Sequence, residues 1–269
     1  MDPIVSPLDI EGLREQWQTA EPFPHFKIDG FLDGDFAREI AEAYPTFGEA
    51  TRQGRMFNFV NEQRKVQICD ADRFPTPVRR LADAVSSPEF RTALTQITGI
   101  STLLADPDYV GGGIHVTGPR GRLDVHVDFN YVEEKQWHRR LNLLLYLNPV
   151  WQEEWGGHVE LWSQGVRQLH HSFRPVLNRC VVFETSEISY HGVSPVTCPD
   201  HVSRKSFAAY YYTREAPAGY TGENHSTIFR ARPEELVRQY LLMPAEKLQR
   251  RLADEGRRAR RLVGRVLKR

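Results

Sequence analysis

His126 and Asp128 stand two residues apart in VHVDF, residues 125–129. Residues i and i+2 of a strand point to one face. The spacing therefore sets an imidazole beside a carboxylate, with Val125, Val127 and Phe129 turned the other way. Such a pair suits two ligands of one metal ion, and it equally suits a His–Asp hydrogen bond with no metal. His191, in ISYHGVSPV, supplies a second imidazole 65 residues downstream, and Arg204 begins the strand RKSFAAYYYT 13 residues beyond that. Two imidazoles and one carboxylate form a facial ligand set that leaves coordination positions open for reactants. A reactant that chelates through two of those positions and carries a distal carboxylate needs a fixed cation. The planar fork of arginine suits that carboxylate.

The full pattern resembles the Fe(II)/2-oxoglutarate-dependent dioxygenases, and within them the prolyl-4-hydroxylase-like branch. The resemblance rests on the H-x-D pair, on the later histidine followed by glycine in HGVSPV, and on the arginine that opens an aromatic-ended strand. LLLYLN is similar to the Y-L-N strand of that branch, WGGHVELW to its G-G-x-L segment, and EPFPHFKIDGFL near the N-terminus also fits. The matching region is about residues 105–215.

The resemblance implies a double-stranded β-helix, or jelly-roll, core. It implies that His126, Asp128 and His191 hold Fe(II) as the catalytic centre, with O2 as a reactant and ascorbate as an accessory reductant. It implies that Arg204 pairs with the distal carboxylate of 2-oxoglutarate and that Tyr146 hydrogen-bonds to it. Strand alternation puts Asn142, Leu144 and Tyr146 on one face, which adds Asn142 to the co-substrate contacts. Alternation also turns Arg204 and Lys205 to opposite faces; the resemblance favours Arg204. The implied reaction hydroxylates a C–H bond while 2-oxoglutarate becomes succinate and CO2. Related halogenases lack the carboxylate ligand, and Asp128 is present here. Desaturation or ring formation is the alternative chemistry, and a jelly-roll binding protein without turnover is the alternative outside the enzymes.

Other residues have two readings each. Asn130 follows Asp128 by two and either faces the substrate or caps a turn. His115 shares parity with Gly111 and Gly113 and either lines the substrate side or is simply hydrogen-bonded. His158, His170 and His171 read as surface or structural. Trp137, Trp151 and Trp155 sit in or beside loops, as a substrate platform or as packing. Tyr210–Tyr212 reads as an aromatic strand rather than a base-stacking surface.

The elements that must position these residues follow from pattern. Apolar residues make up 40% of the chain, enough for a substantial core. Short β-branched and aromatic runs punctuated by Gly, Pro, Asn and Ser suggest an all-β core over 105–215. A strand and helices over 20–100 buttress it. One helix is capped by Asp33 or Asp35 and runs to about Tyr44, and others are expected at Thr76–Ser86 and Pro88–Ile97. The expectation is mainly β structure with flanking helices: one domain over 1–216, then a helical C-terminal extension over 217–269.

Cys69, Cys180 and Cys198 are too few and too scattered for a disulfide framework or a zinc cluster, which suggests reduced thiols in a cytoplasmic protein. No signal-peptide pattern opens the chain. Residues 247–269 carry ten Lys/Arg against two acids, a net of +8 in a chain whose formal charge is zero. Leu248, Leu252, Ala259, Leu262, Val263, Val266 and Leu267 fall near one helical stripe there. Peripheral contact with an anionic membrane, packing or dimerisation, and nonspecific contact with nucleic acid are the readings; no specific nucleic-acid partner is expected. The substrate expected is a small molecule, a peptidyl residue or a glycan.

Overall fold

The structure is a computed structural model and describes residues 4–245. The basic segment 247–269, which carries the amphipathic-helix and membrane-contact expectations, lies outside the described residues. Helix α1 (Ile10–Thr19), capped by the Asp9 side chain, comes first. Strand β1 (His25–Asp29) and helices α2 (Gly34–Ala43) and α3 (Phe47–Gln53) follow. Strands β2 (Arg55–Phe57) and β3 (Glu62–Ile68) pair as a hairpin before helices α4 (Thr76–Ser86) and α5 (Pro88–Thr98).

The Asp33 carboxylate caps α2 by accepting from the amides of Asp35 and Phe36. Pro77 and Pro88 occupy the first turns of α4 and α5, where a missing amide hydrogen leaves no bond unmade. The helices expected in the buttress are therefore present. Helix α1 precedes the expected range of 20–100, and β2 and β3 lie inside it as strands of polar composition.

The β core contains β4 (Leu104–Ala105), β5 (Gly113–Val127), β6 (Tyr131–Val132), β7 (Trp137–Tyr146), β8 (Val159–Trp162) and β9 (Leu169–Phe173). It continues with β10 (Arg179–Glu184), β11 (His191–Val193), β12 (Arg204–Thr213) and β13 (Ile228–Arg230). The strands curl in the order β1-β10-β7-β12-β5-β11-β8-β9, a jelly roll. Strand β5 joins its two faces. Its first part pairs with β12, its last part pairs with β11 and β13, and β3 runs along both. The runs GIHVT (113–117) and LDVHV (123–127) thus belong to one strand. Residues 118–121 loop out where the β3 register shifts.

Alternation along β7 separates core from site. Leu141, Leu143 and Leu145 are fully buried in the cluster that holds Ile40, Leu81 and Leu94 of the helical layer. Burying such a side chain contributes roughly 1.5–3 kcal/mol. Asn142, Leu144 and Tyr146 turn into the roll, where Tyr146 packs with Phe23, Val159 and Phe183.

The segment expected as a helical extension after residue 216 contains a strand before its helix. It does not begin as a helix: it lays β13 against β5 and turns helical only over 236–245. No helix among the described residues is long and apolar enough to cross a membrane.

Gly113 is the tightest point of the β3–β5 seam. Its φ is +82°, and a Cβ there would lie 2.3 Å from the Ile68 carbonyl oxygen. Gly113→Ala is expected to lower stability by at least about 1–3 kcal/mol, the usual cost of such a backbone conformation. Urea unfolding measures it, and an unchanged midpoint would contradict the close approach.

Candidate metal and co-substrate site

His126 and His191 face each other across the antiparallel pairing of β5 with β11. Their rings lie 4.3 Å apart between centroids. Each contacts the carbonyl two residues earlier through Nδ1: His126 to Asp124 and His191 to Ser189, both at 2.9 Å. A carbonyl only accepts, so both Nδ1 atoms carry the proton and both Nε2 lone pairs are free for a metal. Asp128 lies one residue beyond the end of β5. Its Oδ1 is 3.5 Å from His126 Nε2, and its Oδ2 is 3.5 Å from His191 Nε2. One ligand atom from each residue falls within 4.8 Å of the others.

The carboxylate is held ionised. Burial opposes its charge, but the Arg139 guanidinium beside it favours that charge, and the carboxyl lies well below the usual carboxylate range. Arg139 Nη2 forms an ion pair with Asp128 Oδ2 at 3.1 Å, and Asn142 Nδ2 donates to the same oxygen at 2.7 Å. Arg139 also donates to Asn142 Oδ1 through Nε and Nη2, at 3.0 and 2.7 Å. Its guanidinium lies 3.6 Å from the Tyr210 ring centroid and 4.6 Å from that of Phe129. Asn142, placed among the co-substrate contacts by alternation, lines the pocket and also bonds Asp128. His191 goes the other way: burial, then the neighbouring His126, lowers it to about 3, so it is neutral at physiological pH.

The triad opens on a pocket of about 300 Å³, which Arg204 also lines. Arg204 is buried, with Nε donating to the Gly157 carbonyl at 2.6 Å and Nη1 to Ser206 Oγ at 3.2 Å. Lys205 faces away and donates to the Tyr44 carbonyl at 3.3 Å, so Arg204 is the cation of this wall. Tyr146 lies behind the wall with its ring centroid 5.0 Å from the Arg204 guanidinium carbon. Burial pushes its hydroxyl up to about 12, so it stays a proton donor. That hydroxyl is buried without a hydrogen bond of acceptable geometry among the described residues. Buried polar atoms are rarely left so unless another group completes the site. Two imidazoles and a carboxylate fit Fe(II), and a buried arginine beside an unsatisfied phenol fits a carboxylate ligand.

The remaining expectations divide. His115 lines the pocket; its Nε2 contacts Gln67 Nε2 at 3.1 Å and the Gly111 carbonyl at 3.0 Å. Asn130 is not among the lining residues. It donates to Glu187 and to the Glu223 carbonyl and accepts from the His225 amide, which ties two loops together. His158 contacts Ser172 Oγ and His171 contacts the Glu21 carbonyl, both structural. Trp151 and Trp155 pack edge to face. Tyr210 lines the pocket, whereas Tyr211 donates to the Val85 carbonyl in the core.

Arg139 and Phe229 are functional neighbours that the sequence pattern hides. Period 2 from Asn142 points to Arg140, but the register between β7 and β12 shifts: Tyr211 pairs with Leu141 and Tyr212 with Arg139. That irregularity brings Arg139 to the site.

Residues 112–212 match the family model of the 2OG-Fe(II) oxygenase superfamily. Over 78 residues, 28% of this chain, the sequence is 35% identical to the prolyl 3-hydroxylase OGFOD1 of Mus musculus, and the match spans 14% of that protein's length. A prolyl-4-hydroxylase from Pseudomonas putida superposes with a TM-score of 0.53 at 19% identity, covering 75% of this chain and 99% of that one. The non-heme alpha ketoglutarate dependent epimerase SnoN of nogalamycin biosynthesis superposes with a TM-score of 0.52 at 15% identity, covering 80% and 89%. At these identities the structural likeness concerns the fold, which does not select a reaction.

The low value at His191 has a pH consequence in metal-free protein. The unfolded histidine takes a proton near pH 6.5, and the folded one only near 3. Between these values the unfolded state binds more protons, so stability is full above 6.5 and falls as pH drops toward 3. One proton contributes a slope of about 1.4 kcal/mol per pH unit. His191→Gln is expected to flatten the chelator-treated protein's stability–pH curve by about that slope; identical slopes would contradict a neutral, buried His191.

Proposed function

We propose, from the membership of residues 112–212 in the 2OG-Fe(II) oxygenase superfamily, that this protein is an Fe(II)- and 2-oxoglutarate-dependent oxygenase that hydroxylates a C–H bond. The observation that carries the reading is the opening of His126, Asp128, His191 and Arg204 onto one pocket. When bound, iron with 2-oxoglutarate and O2 supplies the oxidising power, and succinate and CO2 are released.

The chain's own residues bind and orient. His126 and His191 would present their Nε2 atoms to the metal, and Asp128 stays ionised with Arg139 paired to it and Asn142 donating to it. Arg204 would receive the distal carboxylate of 2-oxoglutarate and the Tyr146 hydroxyl would donate to it, which satisfies a buried hydroxyl that has no hydrogen bond of acceptable geometry among the described residues. Leu144, Val159 and Phe183 form the apolar wall against the methylene carbons of the acid. Positioning of this kind, rather than new protein chemistry, is the protein's part in cofactor reactions. The activity of the curated relative makes a prolyl peptide the first substrate to test, ahead of free amino acids and glycans.

Succinate release from 2-oxoglutarate with added Fe(II) tests the function, and product mass separates oxygen insertion from desaturation or ring closure. Hydrogen bonds to charged groups contribute roughly 1.5–3 kcal/mol. Arg204→Ala should therefore raise the 2-oxoglutarate KM by about tenfold to a few hundredfold, with a smaller rise for Tyr146→Phe and none for Lys205→Ala. His191→Ala should abolish turnover. Absence of succinate from the wild-type protein across the substrate panel would favour a binding protein.

A further inference from the structure

The segment that follows the family-matched region reaches the metal centre. Strand β13 pairs with the end of β5 so that Phe229 stands directly opposite His126. The two rings lie 5.3 Å apart between centroids, and Phe229 and Thr227 line the pocket. This segment is fastened by buried charge. Arg232 is 3% exposed. Its Nε donates to Glu160 Oε2 on β8 at 2.8 Å, and its Nη2 donates to the Val193 carbonyl on β11 at 3.1 Å and to the Leu123 carbonyl on β5 at 3.5 Å. One guanidinium thus bonds three strands, two of which carry the histidine ligands. Beside it, Asp124 is fully buried and bonds Arg122 Nη2 at 2.7 Å and Arg238 Nη2 at 2.6 Å. Its backbone carbonyl is the one that orients His126. Glu235 takes Arg122 at 2.5 Å and lies 3.8 Å from both Arg232 and Arg238.

This cluster holds three arginines and three carboxylates. Its members come from β5, β8 and the segment after β13. Arg232 and Arg238 lie beyond residue 212, and the strands they fasten lie before it. A charge buried at this depth is retained only with partners on every side, so the strap and the ligand strands hold one another in register.

We infer that residues 225–238 form a strap that is the remaining wall of the metal centre. In it Arg232 is a positioning residue for His126 and His191, and Phe229 screens the His126 side of the pocket from water. The inference rests on the metal-centre reading given above. It assigns to this segment a role in metal affinity and coupling that a packing element would lack.

The test uses the full chain with Co(II) as the metal probe for binding and, separately, Fe(II)- and O2-dependent 2-oxoglutarate consumption in the absence of a second substrate. Wild-type protein should bind Co(II) with a d–d spectrum that His191→Ala loses; if it does not, the metal-centre reading itself fails. Removing groups that orient metal ligands typically weakens metal affinity by about 10–100-fold. Arg232→Met is expected to weaken Co(II) binding within that range, and Arg232→Lys, which cannot span three strands, to restore only part of it. Phe229→Ala should leave Co(II) affinity within about twofold while increasing substrate-free 2-oxoglutarate consumption several-fold. If Arg232→Met does not fold, Arg232→Lys and Phe229→Ala carry the test. Wild-type Co(II) affinity in a folded Arg232 variant, or unchanged uncoupled consumption in Phe229→Ala, would overturn the strap's role.

Discussion

The pairing of β5 with β11 is the constraint on which the rest of this structure depends. It sets His126 directly against His191, and both rings use the same local device, an Nδ1 bond to the carbonyl two residues back. Neither imidazole can turn without breaking a buried hydrogen bond. A ring flipped to point Nδ1 inward would leave a backbone carbonyl unsatisfied, at roughly 1–3 kcal/mol. The site is therefore preorganised by backbone geometry. Asp128, one residue past the strand, has no such restraint from the ladder, and side chains hold it instead.

That holding explains a residue that would otherwise be expensive. Arg139 is almost fully buried, and a buried cation is tolerated only when paired and hydrogen-bonded. Its partners are Asp128 and Asn142, with Tyr210 and Phe129 against its faces. Loss of one member of such a pair costs about 3–5 kcal/mol because the other charge stays buried. Stability and metal-ligand geometry are thus tied in one cluster. At the other end of the pocket, Arg204 is fixed by the Gly157 carbonyl and Ser206. Gly157 has a φ of +65°, and a Cβ there would lie 3.1 Å from Arg204 Cδ. The second glycine of WGG accordingly brings backbone up to the cation.

Much of this was legible in residue order. The candidate metal donors followed from type and spacing, and the buttress helices from caps and prolines. The β7 faces followed from strict alternation, which holds from Leu141 to Tyr146 because both neighbouring strands pair with it there in continuous register. Alternation failed at the one place where the ladder slips. Arg139 lies beyond the irregularity, and no local signal in HRRLN distinguishes it from Arg140. Asn142 stands on the face that alternation gives it and lines the pocket, but facing the site does not by itself say that Asp128 is a partner.

The sequence by itself determined the chemistry: two imidazoles, one carboxylate and one arginine, borne on runs whose period of two could only build strands. It did so because side-chain direction in a strand is a local property of the backbone. Tertiary structure alone decided what surrounds those groups. The arginine that pairs with Asp128, the continuation of β5 past residues 118–121, and the return of Thr227 and Phe229 to the pocket all depend on contacts between distant segments. Phe229 meets His126 across 103 residues of chain, and Arg232 bonds three strands of different sequence position. Burial in common makes those charges interdependent, and burial is a property of the folded whole that residue order does not display.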